Sequence, residues 1–169
     1  MKLFMRSFGV ALFATCALLG ASTATAAKTT TTVIPWFGGQ ENKCGDGSAT
    51  VPAGDVEVRF GWGTYSNNYT TQFLDIQYVT YTINGGAPIQ TAIGDKTGWR
   101  LTTGKDIDGN KVYIAQYTSP VLATLAPGEI VTVTFSLKTN GTAYDNDTTS
   151  YPEGTELLGP HTSCTITAA

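Results

Sequence analysis

The chain is poor in the residues that carry most enzyme chemistry. Its 169 residues include a single histidine, His161, and only 14% of them are charged. A Ser-His-Asp or Cys-His arrangement would have to use His161, three residues from a cysteine that we expect to be bridged. That imidazole and two thiols also fall short of the four ligands of a structural zinc site. We therefore predict a protein that is not an enzyme and that has no metal and no other cofactor.

One catalytic alternative stays open, because its requirement is spatial. A small hydrolase that cleaves glycosides needs two facing carboxylates, and 13 acidic residues are present. Most of them lie in predicted turns, where Asp is favoured by local backbone hydrogen bonds. Asp75, which we place on a strand, is the acid to examine.

Long apolar runs are scarce, and the clearest one lies at the amino terminus. After a basic start, residues 8–19 are apolar, and Ala24-Thr25-Ala26 has the small-x-small form of a signal-peptidase site. We predict that residues 1–26 are a secretory signal peptide and that residues 27–169 form a single exported, extracellular domain. The apolar run is shorter than the ~20 residues that cross a bilayer, which argues against an uncleaved anchor. No second apolar span follows it, so we expect no membrane span in the mature chain.

Basic residues are too few for a nucleic-acid partner. The predicted signal peptide has two basic residues and no acid, so the mature chain has 8 basic and 13 acidic residues and a net charge of −5. Nucleic acids and anionic membranes both select proteins with a basic patch. We expect neither as a partner.

Cysteine is nearly absent, but the two that remain after export are informative. Cys16 belongs to the predicted signal peptide, which leaves Cys44 near the mature start and Cys164 near the end. In an exported chain an even pair predicts a disulfide. This bridge would bring the first and last strands of the domain together.

Helical spacing of apolar residues is not found after residue 26, whereas strand spacing is. The clearest stretch is 125–140, where four apolar residues alternate with polar ones: Val131, Val133, Phe135 and Leu137. About eight such short strands, separated by turn residues, predict an all-β chain. We expect an antiparallel β-sandwich, immunoglobulin-like or jelly-roll-like, stapled by one disulfide; an open barrel is the alternative.

A second half-buried strand is predicted where Val56, Val58, Phe60 and Trp62 alternate with other residues, and the segment after it is more ambiguous. We predict a loop over Gly63–Thr71 and a long strand over Phe73–Ile83. The inward parity of that strand switches along its length, which a bulge near Tyr78–Val79 would reconcile.

Aromatic residues in polar surroundings are the main functional signal. The candidates for a ligand-binding surface are Trp62, Tyr65, Tyr69 and Tyr144. A flat ring stacks on the apolar face of a sugar while nearby Asn, Thr and Asp bond its hydroxyls. Filling the core is the alternative role for such rings, and it applies most to Trp62.

The layout resembles that of some carbohydrate-binding modules, with cysteines near both ends and scattered Trp and Tyr. The same layout is typical of exported immunoglobulin-like domains, so the likeness transfers no residues. We predict a non-catalytic binding domain whose partner is a polysaccharide. The alternative is a secreted protein-interaction or surface-structural domain, such as an adhesin, an inhibitor or an effector, whose partner is an extracellular protein.

Two acidic segments resemble partial calcium loops. Asp106–Asn110 begins like an EF-hand loop but lacks its closing Glu, and a hairpin turn explains the same residues. Asp145–Asp147 is a second cluster, for which a solvated loop is the simpler explanation. Asn68, Asn140 and Asn146 each begin a glycosylation sequon in a predicted loop.

Overall fold

The structure is a computed structural model. It describes residues 29–36, 43–146, 148–158 and 162–169. The predicted signal peptide, with Cys16, lies outside the described residues, and so do His161 and Asp147. Among the described residues, no helix is long and apolar enough to cross a membrane.

Strands make up most of the described chain, and one helix interrupts them. The helix α1 is Asn67–Ile76, and a short 3₁₀ turn lies at Cys44–Asp46. The strands are β1 (Thr31–Pro35), β2 (Ser48–Val51), β3 (Gly54–Thr64), β4 (Gln77–Ile83), β5 (Ile89–Gln90), β6 (Trp99–Lys105), β7 (Lys111–Thr118), β8 (Ala123–Leu125), β9 (Ile130–Thr139), β10 (Ala143–Tyr144), β11 (Ser150–Tyr151) and β12 (Ser163–Ala168).

The strands form two five-stranded sheets and one small pair. Sheet A has the order β1-β3-β7-β6, with β8 also paired to β3, and sheet B has the order β2-β12-β9-β4-β5. The small pair is β10-β11. The prediction of a mostly β chain is therefore confirmed.

The expectation of purely antiparallel sheets is wrong at two pairs. β1 runs parallel to β3, and β2 runs parallel to β12. Between β1 and β3 the chain passes through β2 in the other sheet, so no hairpin imposes an antiparallel pairing. All other pairings among the described residues are antiparallel.

The core lies where apolar faces of the two sheets meet. The predicted alternation in β9 is confirmed, since Val131, Val133, Phe135 and Leu137 are all buried. Phe135 of sheet B lies edge-on to Phe60 of sheet A, with ring centroids 5.5 Å apart. Trp36, just after β1, approaches the same Phe135 ring at 5.7 Å. Rings from both sheets thus share one core.

The predicted disulfide is confirmed. Cys44, in the 3₁₀ turn, is bonded to Cys164 in β12, and both residues are fully buried. The bridge joins positions 120 residues apart. It anchors the beginning of the described domain to its last strand, next to the parallel pairing of β2 with β12.

The segment predicted as a loop followed by a bulged strand is a helix followed by a regular strand. Thr70, Phe73 and Leu74 are buried along α1, at the i, i+3, i+4 spacing of a helix. Because one of the three is threonine, a search for apolar residues alone misses the stripe. β4 begins at Gln77 and pairs with β9 in continuous register, so no bulge is present at Tyr78–Val79.

A buried hydroxyl holds α1 against sheet A. Thr70 Oγ1 lies 2.8 Å from Thr64 Oγ1 and 3.3 Å from the Tyr113 carbonyl oxygen. We expect Thr70→Val to lower the free energy of unfolding by about 1–2 kcal/mol, because buried polar partners lose a hydrogen bond. Thr71→Val is the matched control, since Thr71 is exposed and its hydroxyl donates to the Asn67 carbonyl oxygen of its own helix at 2.9 Å. Urea unfolding with unchanged m-values measures both; equal losses would contradict the assigned role.

Candidate functional site

A groove runs along the outer face of sheet A. In β3, Val58 and Phe60 point into the core, so Arg59, Gly61 and Gly63 point away from it. Together with outward residues of β7 they line a cavity of about 460 Å³, which we call the outer groove. Tyr65 and Asp145 lie at one end of it.

Two glycines give the outer groove its depth. A Cβ on Gly61 would come within 2.8 Å of the Ala115 carbonyl oxygen, so the backbone of β7 itself excludes a side chain there. A Cβ on Gly63 would meet nothing closer than 3.9 Å, to Ile114 Cγ1. Gly63 therefore leaves space that packing does not require. Glycine inside a strand is often found where a ligand or another backbone approaches closely.

The wall and the far end of the outer groove differ in chemistry. Val112 and Ile114 of β7 supply apolar surface, and Gln116 and Arg59 supply polar groups. Arg59 Nε donates to Thr118 Oγ1 at 3.3 Å. A site with apolar walls and a few placed polar groups is the usual design for a small polar ligand.

Tyr65 is held at its end of the outer groove by two hydrogen bonds. Its hydroxyl donates to Asp106 Oδ2 at 3.0 Å, and its backbone N–H donates to the Asp145 carbonyl oxygen at 3.2 Å. The side chain remains 48% exposed. The hydrogen bond to the Asp106 carboxylate, together with the charge of that carboxylate, raises the pKa of Tyr65. The ring is held in place and still open to a ligand.

The structure places the four predicted aromatic residues in three separate settings rather than in one surface. Tyr69 and Tyr144 stack on each other with centroids 5.4 Å apart, and Tyr144 is 39% exposed. Trp62 is half-buried and packs against Phe73 at 5.7 Å. Of the four, Tyr65 is the one that lines the outer groove.

Tyr65 was the one groove residue that the sequence indicated, and the others were not predicted. Arg59, Gly61, Gly63 and Tyr65 occupy every second position from the middle of β3 onward. Two alternate glycines on the outward face of a strand were the available signal. Gln116 carried no signal, because its place beside Gly61 depends on how β7 pairs with β3.

The Asp106–Asn110 segment is a hairpin turn in which the Asp106 carboxylate accepts hydrogen bonds from the turn itself. Asp106 Oδ1 accepts from the backbone N–H groups of Asp108 and Asn110, at 2.9 and 2.8 Å. Asp106 Oδ2 accepts from Tyr65 and from Asn110 Nδ2, at 3.0 and 2.9 Å. All four acceptor positions of the carboxylate are thus used by protein donors. Within the described ranges, no group of three or more His, Cys, Asp or Glu residues could hold a metal ion.

Asn146, in the second calcium-loop candidate, and Asp75 also have local partners. Asn146 Oδ1 accepts hydrogen bonds from the backbone N–H groups of Thr148 and Thr149, at 2.9 and 2.8 Å, which closes a turn. The prediction that Asp75 lies on a strand is wrong, since it lies in α1. Its carboxylate is exposed and pairs with Lys96 Nζ at 2.8 Å. The acid that the sequence suggested for a hydrolase therefore faces a lysine.

Two carboxyls near Tyr65 should have pKa values shifted in opposite directions from the ordinary value. Hydrogen bonds, chiefly from the Asn110 side chain, lower the pKa of Asp106, whereas burial raises the pKa of Asp145. Carboxyl ¹³C shifts followed by NMR should give Asp106 a pKa below the ordinary value of 3.8 and Asp145 a pKa above it. The stabilisation from ionised Asp106 is present above the unfolded-state pKa and is lost as pH falls through its lowered pKa. For Asp145 the sign is opposite, because protonation relieves the cost of burying its charge. The reverse order of midpoints would contradict the geometry of this end of the groove.

Comparison with known proteins gives no relative. No family model matches the chain, and neither the curated proteins nor the solved structures show a match.

Proposed function

We propose that this chain is an exported, non-catalytic binding domain and that the outer groove binds carbohydrate. The architecture we propose is a β-sandwich, immunoglobulin-like or jelly-roll-like. The contact between Phe60 and Phe135 across the two sheets supports it, and so does the disulfide near the domain ends. Export is supported by the form of the first 26 residues and by the disulfide.

The observation that carries the carbohydrate proposal is the row of alternate residues on β3. Gly61 and Gly63 have no side chains, so backbone forms the floor of the outer groove there, and Tyr65 presents a half-exposed ring at its end. A pyranose has an apolar C–H face, which stacks on such a ring, and hydroxyls, which bond side chains such as Gln116. The apolar wall of Val112 and Ile114 suits the same ligand.

The test is retention of the purified mature protein on a panel of insoluble polysaccharides. Native protein should be depleted by at least one polymer, and Tyr65→Ala should weaken that binding about tenfold, which corresponds to about 1.4 kcal/mol. Tyr65→Phe keeps the ring and loses the bond to Asp106, so it should retain binding. Tyr78→Ala, a half-buried tyrosine on β4 in sheet B, is the matched control. Undiminished retention of Tyr65→Ala would rule out this site.

A second candidate function is supported by the free edge of sheet A. Within the described chain, β6 is the last strand of the sheet and pairs only with β7, and its Leu101 is 51% exposed. Long edge strands accept a further strand from a partner protein. If the domain is an adhesin, inhibitor or effector of this kind, native protein recovers a partner from extract, has no sugar affinity, and loses the partner in Leu101→Lys.

A further inference from the structure

We infer that the far end of the outer groove recognises the carboxylate of an acidic sugar. The inference depends on the proposed carbohydrate function and names the class of glycan. It is carried by two arginines, Arg59 and Arg100, on the outer face of sheet A.

The two arginines approach the same strand from opposite sides. Arg59 lies in β3 opposite Thr118 of β7, and Arg100 lies in β6 opposite Gln116 of β7. Arg59 Nε donates to Thr118 Oγ1, and Arg100 Nε donates to Gln116 Oε1 at 2.7 Å. Arg100 Nη2 also donates to Gln116 Oε1. Both side chains therefore reach toward β7: Arg59 lines the groove, and Arg100 lies beside it and contacts the lining residue Gln116.

The spacing of these groups suits one sugar unit better than two separate sites. Neighbouring strands lie about 4.8 Å apart, so β3 and β6 are separated by about 10 Å across β7. The two arginines are offset by one outward position along the strands. Because Arg59 bonds Thr118 and Arg100 bonds Gln116, the two side chains reach toward successive outward positions of β7.

Neither guanidinium forms an ion pair with an acid of the described residues. In the part of the chain that the structure describes, the ion pairs within 4.0 Å are Lys43 with Asp46 and Lys96 with Asp75. The two arginines are instead oriented by uncharged oxygens, which leaves Nη donors of both for a ligand. A guanidinium binds a carboxylate through two parallel hydrogen bonds, which makes arginine selective for that group. Two oriented cations without counter-ions, in a chain with excess acid, indicate an anionic ligand.

The opposite end of the groove limits how many charges that ligand carries. Tyr65 is surrounded by Asp106, Asp108 and Asp145, whose charges all act on its hydroxyl. A polymer with a carboxylate on every sugar would meet repulsion there, which like charges at close range impose. The arrangement favours a glycan whose acidic sugar is flanked by neutral ones. The neutral sugar then lies at Tyr65 and the uronate at the arginines.

The experiment uses matched pairs of polymers on the mature protein. The probes are glucuronoxylan, which has isolated uronates on a neutral chain, its carboxyl-reduced form, polygalacturonate, and dextran sulfate. We expect glucuronoxylan to bind at least about tenfold more tightly than its reduced form at low salt, with the ratio falling as ionic strength rises. The variant Arg59→Gln/Arg100→Gln should bring the ratio close to one. Lys96→Gln/Lys138→Gln removes the same charge outside the groove and should leave the ratio unchanged.

The other outcomes separate the two claims. Equal binding of native and reduced glucuronoxylan would overturn the acidic-sugar inference and leave the carbohydrate function standing. Tighter binding of polygalacturonate or of dextran sulfate would overturn it as well, since the site would then select charge density or sulfate. Retention on none of the polymers, including the neutral ones of the wider panel, would remove the carbohydrate function and the inference together.

Discussion

The variant Gly63→Val is expected to lose carbohydrate binding and to unfold at a denaturant concentration no lower than that of the native protein. A Cβ at this position meets only Ile114 Cγ1 at 3.9 Å and the Tyr113 carbonyl oxygen at 4.0 Å, which are ordinary contacts. Valine also suits a strand better than glycine, because its branched side chain loses little freedom there. Its methyl groups would occupy the space between Tyr65 and Gln116. We expect binding to fall by at least about tenfold, since a ligand displaced from the groove loses its contacts at both ends, with Tyr65 and with Gln116.

The measurement for Gly63→Val combines polysaccharide retention with urea unfolding. Thr167→Val is the matched control, because it adds valine at an outward position of β12 in sheet B. The control should bind as the native protein does. Retention of Gly63→Val at the native level, in a protein of native stability, would show that the ligand does not enter the outer groove.

The second large effect is expected from the disulfide. Replacing Cys44 and Cys164 by alanine removes a bridge across 120 residues of sequence. In the chain-entropy model such a bridge stabilises the folded state by about 5 kcal/mol. Because domains of this size are stable by about 5–15 kcal/mol in total, the variant should be close to its unfolding threshold.

Thermal unfolding measures this effect directly. For a domain of this size about 1 kcal/mol shifts Tm by roughly 3–4 °C, so we expect the double variant to melt about 15–20 °C lower. Below that transition it should still bind carbohydrate, since the bridge lies between the 3₁₀ turn and β12 in sheet B, whereas the groove lies on sheet A. Native protein treated with reductant is the control, and it should melt with the variant. A loss of only 1–2 °C would contradict the stabilising role.

The sequence predicts the fold well where one physical pattern dominates. β9 follows the alternation of Val131 to Leu137 because one face of the strand is in the core and the other is not. The disulfide follows from the two cysteines that remain after the predicted export signal. These features depend on local spacing or on the pairing of two cysteines, and both can be read from the amino-acid sequence.

The helix escaped prediction because its buried stripe is partly polar. Thr70 occupies a buried position in α1 where an apolar residue would be expected, and its hydroxyl forms a hydrogen bond with that of Thr64. The change of parity that suggested a bulge marks the passage from Ile76 in α1 to Gln77 in β4. A switch from period 3.6 to period 2 produces the same irregularity as a bulge in a short window.

The candidate site was predictable in part. Tyr65 stood out through its polar neighbours, and the structure places it at the outer groove. Arg100 and Gln116 could not be found, because they meet Arg59 and Gly61 only through the register of three strands. Register is set by turns and by the core, and neither specifies in the sequence which outward residues become neighbours.

The most direct test of the groove is to map the bound glycan on the protein. Backbone amide shifts of the ¹⁵N-labelled mature protein would be recorded while a soluble oligosaccharide of the retaining polymer is added. We predict that the largest changes fall on Gly61, Gly63, Tyr65 and the outward residues of β7, with β12 unaffected. Changes confined to the β6 edge, or to the Tyr69–Tyr144 stack, would contradict the assignment of the outer groove as the binding site.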